Sequence, residues 1–134
     1  MAEALHQAYP EFDQKSFVAL APHLDALELK PRVLLVRDQL RRQLPLDYKQ
    51  ALKILLASLK SEKVSGFDLW PYTEFVQTFG LDHPELSLKA LYELTQLFTA
   101  EFAVRPFVKK HPEITMAFLM KCTADKNVHV RRWA

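Results

Sequence analysis

The chain has 134 residues, 49% of them apolar, and a formal net charge of +2, which is material for one domain with a sizeable core and too little charge to declare a partner. No apolar run approaches the roughly 20 residues of a membrane helix, and the opening MAEALHQAYP lacks the basic-then-apolar order of a secretory signal, so a soluble, cytoplasmic protein is expected. One cysteine, Cys122, excludes an internal disulfide, and two glycines, Gly66 and Gly80, argue against tight hairpins and a phosphate-cradling loop.

Eight prolines punctuate stretches that repeat with the 3.6-residue helical period. In chain order, the spacing predicts helices over 13–29, 31–43, 47–61, 70–79, 86–98, 100–110, 112–123 and from 127 onward. RVLLVRDQLRRQL places Val33, Leu34, Val36, Leu40 and Leu44 on one face, and YKQALKILLASLK does so with Tyr48, Leu52, Leu55, Leu56 and Leu59, its lysines opposite. SEKVSGFD, residues 61–68, is the only stretch polar enough for a long loop. Short connections between short helices imply antiparallel neighbours. Further along, AEFAVRPFV sets Glu101 and Arg105 one helical turn apart, where they can meet, and Pro106 then removes a backbone donor from the same helix.

A shift of 26 residues lays Val104-Arg105 on Val130-Arg131, Phe107 on Trp133, and residues 86–94 on 112–120. Such a repeat of helix, turn, Val-Arg and aromatic suits a HEAT-type α-solenoid, whose units bury their apolar faces only by stacking.

The segment TAEFAVRPFVKKHPEITMAFLMKCTADKNVHVRRWA, residues 99–134, resembles the HEAT-like-repeat DNA alkylation repair proteins of the AlkC/AlkD superfamily. There a Glu-Phe-Ala-(Val/Ile)-Arg-Pro-Phe motif is followed by Asp-x-Asn-x-His-Val-Arg-Arg. Residues 24–59 and 70–102 are similar to the AlkC branch in order and spacing. The resemblance implies an all-α, right-handed solenoid of antiparallel helix pairs (HEAT-like or ARM-like). It also implies binding of duplex DNA with alkylated bases, and a glycosylase that removes cationic N-alkylated bases such as 3-methyladenine. A non-catalytic helical-repeat module that binds nucleic acid or protein is the alternative. Family members continue beyond His-Val-Arg-Arg, so the chain reads as a single truncated domain over 1–134. Its last helix then leaves Val128, Val130 and Trp133 without a downstream partner, and that end is expected to fray or to form a homodimer.

A cationic leaving base needs no general acid; the sugar cation and a water need a carboxylate. Glu101 is the first candidate, with Phe98 and Phe102 beside it to exclude solvent; Glu74 and Asp68 come second. Capping or pairing with Arg105 is the architectural alternative for Glu101. Arg105, Lys109, Lys110, His129, Arg131 and Arg132 are candidate phosphate contacts, since residues 101–134 carry a net +4 against −2 for the rest. Arg131, aligned with Arg105, is expected to pair with a turn carboxylate such as Asp125, leaving Arg132 freer. Trp70, Tyr72 and Trp133 are candidate stacking or core aromatics. His6, His23, His83 and His111 show no metal-ligand spacing, so neither a metal nor a cofactor is expected.

Overall fold

Prolines and short polar side chains decide where the helices start. The computed structural model describes residues 1–134 and contains no strand. Its helices are α1 (Ala2–Ala8), α2 (Gln14–Val18), α3 (Ala21–Asp25), α4 (Leu29–Gln43) and α5 (Tyr48–Ser58). A 3₁₀ turn, Gly66–Leu69, precedes α6 (Trp70–Phe79), α7 (Pro84–Thr95), α8 (Glu101–Lys110), α9 (Pro112–Cys122) and α10 (Val128–Trp133). Pro22, Pro71, Pro84 and Pro112 fall in first turns, where a missing N–H costs nothing. Asp13, Asp47 and Asn127 cap α2, α5 and α10 by accepting from Ser16, Gln50 and His129 N–H. Pro106 is accommodated inside a continuous α8.

Three expectations change. The stretch 13–29 is two short helices with a break between them. MAEALHQAYP contains a helix, α1, which buries Ala4 and Leu5 and packs on α5. The loop 61–68 ends in the 3₁₀ turn, where Gly66 takes a φ of 57°, the left-handed region that glycine enters without a Cβ penalty.

From α4 onward the helices stack in two layers. In one, α4 packs on α6 and α6 on α8; in the other, α5 packs on α7 and α7 on α9. Successive helices also touch, as α6 does α7 and α8 does α9, and this double adjacency is the all-α, HEAT-like stack that the sequence predicts. Leu40, Leu55, Phe75, Leu88, Leu91 and Phe107 lie fully buried between the layers. Buried hydroxyls pair within and between them: Tyr48 Oη of α5 meets Ser87 Oγ of α7 at 2.8 Å, Ser87 donates to the Gly80 carbonyl at 2.8 Å, and Tyr72 Oη of α6 reaches across to Ser58 Oγ of α5 at 2.7 Å. Burial pushes the Tyr48 phenol up to about 12, so it stays protonated and able to donate.

The 26-residue register holds for α8 and α10: Val104 and Val130 are buried, as are Phe107 and Trp133, while Arg105 and Arg131 are exposed. It fails for α7 and α9. Leu88, Leu91 and Leu94 are buried, whereas Ile114 and Met120, two of the residues laid on them, are exposed. A shift of 28 restores agreement, pairing Ser87, Leu91 and Leu94 with Thr115, Leu119 and Cys122, all buried. The signal was a repeated His-Pro-Glu, at 83–85 and 111–113, which opens both helices.

The apolar end expected at α10 is also corrected. Val130 is fully buried and Trp133 is 6% exposed, its ring edge-on to Phe118 at 6.3 Å, because α10 folds back against α7 and α9. Of these three residues only Val128 stays half exposed, but Ile114, Met116 and Met120 on the adjoining α9 are exposed as well, so the last units keep an outward apolar surface.

Candidate nucleic-acid interface

Residues 96–100 join α7 to α8, and α10 closes against their flank. The result is a cleft of about 320 Å³ whose polar lining includes Thr95, Gln96, Thr99, Glu101, His129 and Arg132. Threonines build its floor. The Ala100 and Glu101 N–H groups donate to Thr95 Oγ1 and Thr99 Oγ1, both at 3.4 Å, so these hydroxyls serve α8 where Ala100 offers no side-chain cap.

Glu101 is the first residue of α8, where the positive end of the helix dipole favours a carboxylate. Arg105 donates to it at 2.7 Å, one turn away as the spacing predicts, and both side chains are 58% exposed. The Arg105 guanidinium also lies 4.7 Å from the Phe102 ring centre. The expected dry setting for Glu101 is therefore absent: Phe102 is itself 60% exposed and does not seal the carboxylate from water.

The basic candidates divide by position. Arg132 and His129 line the cleft with Glu101, and Arg132 forms no ion pair. Arg131 is used structurally, donating to the carbonyls of Asp125 and Lys126 at 2.8 and 2.9 Å. It thus holds the turn through its carbonyls, where a carboxylate was expected. The Asp125 carboxylate accepts instead from the Asn127 N–H and the Tyr92 hydroxyl, both at 2.8 Å, and these bonds hold it below the usual carboxylate range. Lys109 and Lys110 sit at the far end of α8, roughly 13 Å from Glu101 by helical rise. There Lys110 pairs with Asp82 at 2.6 Å while His111 Nε2 bonds the Leu81 carbonyl at 2.6 Å, tying one corner of the stack to the next.

A second, smaller cleft of about 260 Å³ shares Phe98 and Thr99 with the first and is lined by Phe67, Trp70, Glu74 and Phe102. Trp70 stands here among Phe67 and Phe98, whose ring centres are each 6.4 Å from its own. Glu74 is 3% exposed and accepts from Trp70 Nε1 at 3.1 Å, from Gln77 Nε2 at 2.6 Å, and from Lys30 on α4. Three donors leave it little capacity to act as a base. Tyr72 and Trp133 are core residues, and Asp68 is exposed on the 3₁₀ turn. Sequence reasoning missed Lys30, 44 positions from its partner, and the threonines of TQLFT, which carry no local mark of a site.

A two-layer helical-repeat stack with a mixed-charge cleft at the edge of its last units defines a HEAT-like repeat protein. No family model matches the chain. It is 38% identical over 132 residues to the uncharacterized protein YhaZ of Bacillus subtilis (strain 168), which covers 97% of this chain and 36% of that protein. Among solved structures it matches Pseudomonas fluorescens alkylpurine DNA glycosylase AlkC, bound to DNA containing an abasic site analog. The TM-score is 0.86 and the identity 34%, over 98% of this chain and 37% of that one. In sequence and fold the chain is similar to AlkC over nearly its whole length, and it spans little more than a third of the length of either relative. No helix is long and apolar enough to cross a membrane.

Proposed function

We propose that this chain is a DNA-contacting unit of an alkylpurine DNA glycosylase, acting where duplex DNA carries cationic N-alkylated bases such as 3-methyladenine. The observation that carries the reading is the likeness to DNA-bound AlkC over 98% of the chain, with Glu101, His129 and Arg132 gathered on one cleft. In the proposed reaction water adds to the sugar C1′ and gives up a proton to the Glu101 carboxylate and from there to solvent, the N-glycosidic bond breaks, and the bonding electrons leave with the base, neutralising its charge. Glu101 stabilises the oxocarbenium-like sugar and orients the water; DNA covering the cleft provides the dehydration that the free chain lacks. Arg132 and His129 hold the flanking phosphates, and Lys109 extends the contact along α8.

The second reading, a non-catalytic nucleic-acid-binding repeat, is favoured by the exposed Glu101–Arg105 pair, an arrangement that also serves to steady a helix terminus. Two measurements separate the readings. Binding to duplex DNA, followed from low to high salt, should weaken steeply and depend little on sequence. Release of free 3-methyladenine from methylated DNA, by this chain and by one as long as its relatives, tests the chemistry. Salt-independent binding removes both readings; binding without release by either chain leaves the non-catalytic one.

A further inference from the structure

The layer of α5, α7 and α9 carries a cleft of about 680 Å³ on residues that the DNA-binding reading leaves unused. Its floor is apolar, built from Leu52 and Leu56 of α5, Leu86 and Ala90 of α7, and Phe118 and Cys122 of α9. A second depression continues it along α5 and α7, sharing Leu56 and Glu93 and adding Leu59, Lys60 and Leu97. Along α5 the wall of the groove follows helical spacing, the buried Leu52, the half-buried Leu56 and, just past the last turn, Leu59, with Lys49 and Lys53 exposed beside them, roughly 15 Å in all.

Charge surrounds this floor on one side of the balance. Lys49, Lys53, Lys60, Lys89 and Lys121 are exposed along the rim, and none forms an ion pair. Two acids oppose them, Glu93 and Asp125, and Asp125 is already occupied by Tyr92 and Asn127. A phosphate backbone would satisfy the lysines but leave the half-buried Leu56, Leu59, Leu86 and Phe118 wet. A helix with an apolar stripe flanked by carboxylates satisfies both, by burying the floor and pairing the rim.

We infer that this cleft is the docking groove for an acidic amphipathic helix, about three turns long, of a partner protein. The groove fits such a helix in length, in its apolar floor and in the sign of its rim, and it stands whether or not the chain excises bases.

The probe is a labelled synthetic peptide of about 14 residues, leucines at i, i+3, i+4 and i+7 and glutamates on either side. Its fluorescence anisotropy is measured against the whole 134-residue chain. Saturable binding is expected, weakening as salt rises and falling about tenfold in the double variant Lys53→Glu/Lys89→Glu. Both positions are exposed, and circular dichroism checks that the variant keeps its helices. A scrambled peptide of the same composition, and one with lysines for glutamates, should not bind. The salt dependence of the wild-type chain needs no variant. No saturable binding, equal binding of the scrambled peptide, or stoichiometric displacement by duplex DNA with matching loss of DNA affinity in the double variant overturns the inference.

Discussion

Glu101→Gln separates architecture from chemistry because the structure assigns different sizes to its effects. The carboxylate lost is 58% exposed and shares its charge with an equally exposed Arg105, a pair worth about 0.3–0.5 kcal/mol. Its place at the start of α8 adds roughly 0.3–1 kcal/mol through the helix dipole. Folding should therefore lose at most about 1.5 kcal/mol, a drop in melting temperature of roughly 3–8 °C for a domain of this size. Duplex affinity should hold or rise slightly, since an acid disappears beside Arg132 and Arg105 is freed. Excision should fall about 10²–10³-fold if the carboxylate stabilises a developing sugar cation. Thermal unfolding by circular dichroism, duplex anisotropy and chromatography of released 3-methyladenine read the three effects separately, the last in an active chain of the relatives' length. An unchanged excision rate beside a lowered melting temperature would refute the catalytic role and leave Glu101 as the partner of Arg105.

The two neighbouring arginines should behave differently. Arg132→Ala should leave stability nearly unchanged and reduce the salt slope of duplex binding by about 0.9, as for one lost phosphate contact. Arg131→Ala, which frees two turn carbonyls, should cost about 1 kcal/mol in a urea titration. Gly80→Ala should cost about 2–4 kcal/mol, because the new Cβ would overlap Tyr48 Oη and Ser87 Oγ and break their buried chain. The backbone φ there is −104°, so space alone requires the glycine, and urea unfolding checks the loss. Asp125 is held below its unfolded value of about 3.9, so its stabilisation is complete above that pH and is lost as pH falls through the lower, folded value. Melting curves across the acid range should show Asp125→Asn lacking this component, with the difference from wild type shrinking as pH falls.

Local rules carried much of this protein. Period and proline placement define α4 through α9 within a few residues, and the one-turn spacing of Glu101 and Arg105 forecasts the pair that forms. Helical spacing is a property of neighbours in sequence, so it is legible there. The HEAT-like stack follows too, because amphipathic helices this short must bury their stripes against one another. What sequence could not decide is which faces meet. Seven-residue α1 is too short to persist alone and exists because α5 covers Ala4 and Leu5. The same long-range packing buries Trp133 against Phe118 and pairs Lys30 with Glu74 across 44 positions. Two adjacent arginines are equivalent to composition and to charge counting, and alignment with Arg105 is what assigns Arg131 to the turn and leaves Arg132 freer. Only the fold of α10 against α7 and α9 sets Arg132 and His129 on one cleft with Glu101, because residues about 30 positions apart are brought together by packing and not by local spacing.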